Sequence, residues 1–229
     1  IRLAISVDNK PMLYQNADGF TGFEMELLTA FGQRYGYKFD IEVVPFESII
    51  AGISANKYDM GASSLNITDE RKESVDFSDA YNTFETVIAV KGDSENKAYD
   101  TLADFENAAI GVMTGTVYDD FAKERFPNAK REYYNMISDM IVAVEQEKID
   151  GYLSESTYVT AAIWEGAKIQ SIDEAIDHTQ AAYIFQKSEQ SALLREQLNS
   201  FIRAAKENGT LDELAEKWFG KTEPAGKLD

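Results

Sequence analysis

Between positions 63 and 71 the chain reads SSLNITDER. Ser63, Ser64 and Asn66 supply small hydrogen-bonding groups, and Thr68 followed by Asp69 and Glu70 reads as the N-cap and acidic first turn of a helix. Arg71 falls in that same turn, where a cation opposes the helix dipole. A guanidinium presents a planar fork of donors suited to a carboxylate, and the N–H groups of a helix start favour the same anion. The plainer reading is a surface arginine paired with Asp69, Glu70 or Glu73, the usual situation of an arginine; the hydroxyl-rich flank favours an anion clamp.

Composition narrows what such a clamp serves. The 229 residues are 44% hydrophobic and 27% charged, enough for a globular core in one large domain or two of ordinary size. A net charge of −18 argues against nucleic acid and anionic lipid as partners. With no cysteine and a single histidine, His178, there is no disulfide, no zinc–thiolate site and little basis for a histidine metal site or catalytic triad, so neither metal nor cofactor is expected. No apolar run reaches membrane-span length. The chain opens on the strand-like IRLAISVD rather than a signal peptide, which fits either a cytoplasmic protein or one whose export segment has been removed.

The elements that must position the clamp follow from periodicity. IRLAISV reads as a strand; Phe23, Leu27, Phe31 and Tyr35 mark a helix stopped by Gly36; KFDIEVVP is a strand; residues 46–56 form an amphipathic helix; YDMGASS is a third strand. A second series follows: strand 108–115 entering a Gly-Thr turn, helix 117–126, strand KREYYN, helix 136–147 and strand IDGYLSES. Each is β-α-β-α-β, the order of a parallel sheet with helices on its faces. The series also match in detail. Setting Lys57 on Lys148 places Asp59 on Asp150, Ser63 on Ser154 and Ser64 on Glu155. TVIAVK (86–91) and AAYIFQK (181–187) then read as two antiparallel crossing strands forming a hinge. Helices at 189–207 and 211–219 complete the chain, the second with Thr210 as N-cap and Glu213 as its capping-box partner. The expected division is residues 1–88 plus 186–229 as lobe one and 89–185 as lobe two. Trp164 and Trp218 read as packing residues, His178 as a loop residue, and GKTEPAGKLD at the end as a linker. Ligands of open α/β sheets bind beyond the carboxyl ends of the strands. In lobe one that rule selects 63–71 and the loop around Asn9; in lobe two it selects Gly115-Thr116 and Ser154-Glu155. Facing lobes would bring these groups to one cleft.

These residues carry a resemblance that covers essentially the whole chain. GFEMELLTAFGQRYG, ITDERKESVDFSDAY, IGVMTGTVYDDF and DELAEKWFG resemble successive motifs of the family-3 bacterial extracellular solute-binding proteins, which serve polar amino acid ABC transporters. The resemblance implies the type II periplasmic-binding fold, with two similar α/β lobes that close on a free amino acid. It implies that Arg71 takes the α-carboxylate, that Ser63, Ser64, Asn66 and Thr116 add donors and acceptors, that Glu155 takes the α-ammonium and that Phe46 packs on the ligand side chain. It also implies a membrane ABC permease as partner, a monomer, and an extracytoplasmic location, periplasmic or cell-surface, free or membrane-tethered. Read as residues alone, Glu155 is equally an ordinary acid near a helix start, Phe46 plain core and Thr116 a turn cap.

The chain departs from the family pattern at Glu155, where many members have Asp; at Asn9, where many have an aromatic; at Ser6, where some members that bind basic ligands have Asp; and at Ala80, where Pro is common. With one carboxylate matched by Arg71 and one ammonium by Glu155, a neutral or polar side chain is expected on the ligand, glutamine being the best guess, with Asn9 able to meet a polar tip. A non-catalytic binding protein is the leading expectation. A ligand-sensing domain of a receptor or kinase is one alternative. A cyclohexadienyl dehydratase-like lyase using Glu155 as general acid is the other.

Overall fold

The computed structural model describes residues 1–92 and 99–220; the terminal stretch read as a linker lies, beyond Gly220, outside the described residues. The chain divides into two compact units, Ile1–Thr83 with Gln180–Asp229, and Phe84–Thr179. In chain order the elements are β1 (Arg2–Ile5), β2 (Asp8–Asn9), β3 (Leu13–Asn16), β4 (Gly19–Thr21), α1 (Phe23–Tyr35), β5 (Asp40–Val43), α2 (Ile49–Ser54), β6 (Met60–Asn66), α3 (Asp69–Ser74) and β7 (Asp76–Phe77). Then come β8 (Asn82–Lys91), β9 (Ala109–Met113), α4 (Tyr118–Arg125), β10 (Lys130–Tyr134), α5 (Ile137–Glu145), β11 (Gly151–Glu155), α6 (Ser156–Trp164), β12 (Ile169–Ser171), β13 (Asp177–Phe185), α7 (Glu189–Glu207) and α8 (Thr210–Phe219).

Each unit realises the β-α-β-α-β order in the same way. In the first, β1 runs between β5 and β6, parallel to both, and β13 lies antiparallel on β6. In the second, β9 runs between β10 and β11, parallel to both, and β8 lies antiparallel on β11. The central strands are apolar and fully enclosed, Leu3, Ala4 and Ile5 in one unit and Ile110 and Val112 in the other, as a strand covered on both faces must be. The first unit's core continues onto α1 through Phe23, Leu27, Leu28 and Phe31, and onto α7 through Leu198, Phe201 and Ile202; the rings of Phe31 and Phe201 lie 5.7 Å apart.

The chain passes between units within β8 and β13, the two crossing strands expected, but the boundaries differ from those read from sequence. Residues 180–185, expected in lobe two, belong to the first unit, because Ala181, Ala182, Ile184 and Phe185 pair with β6. Residues 84–88, expected in lobe one, belong to the second, because Thr86, Val87 and Ile88 pair with β11. An apolar strand pattern does not reveal which sheet the strand joins: the two strands are recognisable in the sequence, but the units change at 83/84 and 179/180, ahead of the segments 86–91 and 181–187 expected to cross.

Other expectations are also adjusted. A small antiparallel sheet, β2-β3-β4, precedes α1 and was not anticipated. It closes at Gly22, where φ is 119° and an added Cβ would lie 2.4 Å from the Met12 carbonyl oxygen, so only glycine fits. The capping box at Thr210 does not form: Gly209 is the cap residue of α8, and Asn208 Oδ1 accepts the Thr210 N–H at 3.0 Å. Trp218 is half-buried and donates to Glu26 Oε2 at 2.9 Å, whereas Trp164, expected to pack, is 61% exposed at the end of α6. His178 lies in β13 rather than in a loop, 3.5 Å from Glu85. No helix among the described residues is long and apolar enough to cross a membrane.

Candidate ligand site

In the first unit the site is built where β6 ends. β6 is buried along its whole length, yet its backbone turns out of strand geometry at two consecutive serines, with φ 135° at Ser63 and 49° at Ser64. Such angles disfavour any residue with a Cβ and persist only where neighbours hold them. The neighbours are specific. The Ser63 N–H donates to Glu24 Oε1 at 3.3 Å and the Ser64 N–H to Glu24 Oε2 at 3.0 Å, while Tyr81 Oη donates to Oε1 at 2.7 Å. The Ser63 hydroxyl also ties the segment to β1: it accepts the Ser6 N–H at 2.8 Å and donates to the Ser6 carbonyl at 3.1 Å. With its backbone directed to Glu24, Ser64 is left 5% exposed, and its Oγ has no hydrogen-bond partner among the described residues.

Arg71 stands on the same strand end. Thr68 caps α3 as sequence indicated, its Oγ1 accepting the Arg71 N–H at 3.1 Å. The guanidinium folds back, Nη1 donating to the Asn66 carbonyl at 2.9 Å, with Cζ 6.0 Å from the centroid of the Phe46 ring. Phe46 opens a short 3-10 turn after Pro45 and is buried. Ser63, Ser64, Asn66, Arg71 and Phe46 are thus linked to one another or to shared neighbours within one unit. Asn9 is 4% exposed on β2, and its Nδ2 has no hydrogen-bond partner among the described residues.

In the second unit the corresponding strand ends carry Thr116 and Glu155. Gly115, with φ 79°, turns the chain after β9 into α4. Thr116 closes that turn, its N–H and its hydroxyl both directed to the Met113 carbonyl, at 3.2 and 2.6 Å. Its hydroxyl hydrogen is therefore engaged in the turn, leaving the oxygen lone pairs as what it can offer a ligand. Glu155 ends β11 in ordinary extended geometry, is the cap residue of α6, and is 1% exposed; Ser154 beside it is equally buried.

Sequence reasoning passed over Glu24. It lies at an unmarked position of the GFEMELLTAFGQRYG motif, and an acid in a helix's first turn is unremarkable. The signal was its phase: positions 24, 28 and 31 lie on one helical face, and both Leu28 and Phe31 are fully enclosed. An acid on that face needs internal donors. Burial pushes the Glu24 carboxyl up from 4.5 to about 7, against the opposing pull of Tyr81 and of the Ser64 and Ser63 N–H groups. Tyr81, within the SDAY motif, was also overlooked as a site residue.

Comparison with known proteins locates this arrangement. Residues 1–221 match the family model of bacterial extracellular solute-binding proteins, family 3. The chain is 28% identical to the arginine-binding extracellular protein ArtP of Bacillus subtilis (strain 168) over 222 residues, 95% of this chain and 85% of that one. It is 27% identical to the L-cystine-binding protein TcyA of the same organism, over 93% of this chain and 78% of that one. Among solved structures, the substrate binding protein of an amino acid ABC transporter matches with a TM-score of 0.87 at 28% identity, over 96% of this chain and 99% of that one. The ancestral amino acid-binding protein AncCDT-1, a precursor of cyclohexadienyl dehydratase, matches with a TM-score of 0.86 at 28% identity, over 96% and 95% of the two chains.

Proposed function

The chain belongs to the family-3 bacterial extracellular solute-binding proteins, and from that premise we propose that it binds a free amino acid with a neutral or polar side chain, outside the cytoplasm, for delivery to the membrane permease of an ABC importer. The observation that carries the reading is the placement of the Arg71 guanidinium, folded onto the Asn66 carbonyl and 6.0 Å from the Phe46 ring centroid on the same strand end as the bent serine segment, since a planar donor fork is the group that suits a carboxylate. The buried acids among the described residues are Glu24 and Glu155. Glu24 accepts from Ser63, Ser64 and Tyr81; Glu155 is the acid that the family resemblance gives to the α-ammonium. Ser6 and Asn9 are buried and uncharged, so neither of these two positions supplies a second acid for a basic side chain or a cation for an acidic one, although Asp8 stands beside Asn9 on β2. Within the first unit the proposed ligand-binding residues are Arg71, Ser64, Asn66, Asn9 and Phe46; within the second they are Glu155 and Thr116. The protein acts as a monomer and carries out no chemistry on what it binds.

Isothermal titration against the twenty amino acids tests this. Neutral polar amino acids, glutamine first, bind; arginine and glutamate bind more weakly. Tight arginine or glutamate binding with the neutral set silent overturns the side-chain assignment, and silence from all twenty overturns the amino-acid reading. One observation favours a second reading: a buried glutamate at position 155, in a chain whose structure matches that of a dehydratase precursor, could act as a general acid. Turnover of cyclohexadienyl acids by the pure protein would establish that reading instead.

A further inference from the structure

We propose that Glu24, which touches no ligand itself, is a positioning residue for the amino-acid site, its carboxylate holding the Ser63–Ser64 backbone in the left-handed bend that presents Ser64 to the ligand. The inference rests on the amino-acid reading above and adds a residue to its machinery.

The geometry is that of a two-point clamp. One carboxylate oxygen takes the Ser63 N–H and the Tyr81 hydroxyl; the other takes the Ser64 N–H. All three partners are drawn as donors, so the arrangement asks for a carboxylate, which only accepts. A segment left in ordinary strand geometry would pair both N–H groups in the sheet. Here they are withdrawn from it, two consecutive residues with side chains are held at positive φ, and the hydroxyl so displayed is buried with no hydrogen-bond partner among the described residues. Strain of this kind is retained where it serves a site.

The titratable groups facing Glu24 are two tyrosines. Tyr81 donates to its carboxylate, and Tyr183 on β13 has its hydroxyl 3.4 Å from the Glu24 backbone carbonyl. Glu26, the next acid on α1, is turned to Lys217 and Trp218. Burial is the main influence on the Glu24 charge, raising its pKa to about 7. Protonation near neutrality therefore sets a carboxyl proton against the donors and loosens the clamp, so ligand affinity should fall as pH drops through that range.

The test uses the chain as it stands, with L-glutamine and L-arginine as titrants. At pH 8, Glu24→Gln, which keeps the side-chain shape but turns an N–H group toward a donor, is expected to keep its melting temperature and lose at least tenfold in affinity. The wild type is expected to lose affinity between pH 8 and 6, approaching tenfold per pH unit below the midpoint, and Glu24→Gln to show no such slope. Tyr81→Phe, which spares both backbone contacts, should move the wild-type midpoint to higher pH, because a donor to the ionised form is gone. Should Glu24→Gln fail to fold, the Tyr81→Phe midpoint and the wild-type slope decide. Binding by Glu24→Gln within twofold of wild type, or an unmoved Tyr81→Phe midpoint, overturns the proposal. If neither amino acid binds the wild type, the amino-acid reading fails on its own. Amide hydrogen exchange then judges the clamp: Ser63 and Ser64 lose protection in Glu24→Gln if it is right and keep it if it is wrong.

Discussion

In the first unit the Asp59 carboxylate accepts the Arg2 N–H at 2.7 Å, and the Asp59 N–H donates to the Arg2 carbonyl at 2.9 Å. In the second, Asp150 makes the same pair of bonds with Ala109, at 2.7 and 2.8 Å. The residues just before agree as well. Asn56 and Glu147 both leave their helices in the left-handed region, with φ 58° and 56°, and Lys57 and Lys148 donate backward to Gly52 and Ala143 at 2.9 Å in each case. The correspondence ends at the next functional position. Ser63 and Ser64 are bent onto Glu24, while Ser154 and Glu155 continue as ordinary strand into a helix. The acid in the first turn of each series' first helix differs in the same sense. Glu24, the second residue of α1, is enclosed and accepts backbone N–H groups; Asp119, the second residue of α4, is partly exposed and pairs with Lys123 at 2.6 Å and Arg131 at 3.3 Å. One plan has thus been turned to two tasks. The first unit holds its strand end in a strained bend; the second ends its strand unstrained on a buried acid.

On the proposed reading the ligand carboxylate falls to the first unit, and Arg71 is where that proposal breaks most easily. Arg71→Ala should cost roughly 2–5 kcal/mol of ligand affinity by titration calorimetry, the range for truncating one side of a buried charge pair, and Arg71→Lys should recover only part of it because a point charge lacks the fork. Thr116→Ala, on the second unit, should cost far less, because its hydroxyl hydrogen already serves the turn. Comparable losses at the two positions would end the division of labour.

The two helix-start acids should titrate with opposite consequences for stability. Glu24 rises from 4.5 to about 7 in the folded protein, chiefly through burial. Between those values the folded state holds more protons than the unfolded one, so stability falls as pH rises, by about 3 kcal/mol over the interval if the whole shift is expressed. Asp119 is held below its usual range: burial alone would raise it, and the bonds from Lys123 and Tyr133 with the nearby charges outweigh that. Its favourable contribution is present above about pH 3.8 and is lost as pH falls through its lower folded value. Denaturation of wild type and Glu24→Gln from pH 8 to 4 should show wild type gaining on the variant as pH falls from 7 to 4.5. Asp119→Asn should run parallel to wild type and below it by a constant amount over that window, the gap closing only in acid. Parallel curves for wild type and Glu24→Gln would show that the Glu24 carboxyl is not perturbed.

What sequence revealed and what it hid divide along the same line. The repeated β-α-β-α-β series, the alignment of Lys57 and Asp59 with Lys148 and Asp150, and the helix start at Thr68 were legible because they rest on periodicity and local capping. Arg71 stood out because its charge is wrong for its place in a helix. The β2-β3-β4 sheet was missed because its strands are too short for a period to show. The crossing strands were found, but their partners, β6 for residues 181–185 and β11 for 86–89, are set by tertiary pairing. Glu24 was missed because its role appears only when three donors distant in sequence converge on it.

The shared framework itself can be tested at the paired aspartates. Asp59→Ala and Asp150→Ala each leave one strand-start N–H without its acceptor, and each should cost about 1 kcal/mol in a denaturation experiment, within a few tenths of the other. The additional bond from the Arg2 side chain to Asp59, at 2.6 Å, lies at the surface and should widen the difference little. Losses differing severalfold would mean that the two aspartates share geometry without sharing function.

The smallest expected effect carries the most information about the bend. Ser64 sits at φ 49°, where a residue with a Cβ is strained by roughly 1–2 kcal/mol, and glycine is not. Glycine also loses about 0.5–1 kcal/mol through its greater freedom in the unfolded chain. Ser64→Gly should therefore leave stability unchanged or raise it by up to about 1.5 kcal/mol, while removing the hydroxyl that the bend displays and weakening amino-acid binding. Ser154, its neighbour in the aligned repeat, lies in regular strand, where glycine brings the entropic loss with no strain to relieve, so Ser154→Gly should destabilise by about 0.5–1 kcal/mol. The signs, read as melting-temperature shifts of the two variants measured side by side, matter more than their sizes. If both substitutions destabilise equally, Ser64 is not strained in solution, and the contrast between a bent strand end in one unit and a straight one in the other loses its energetic basis.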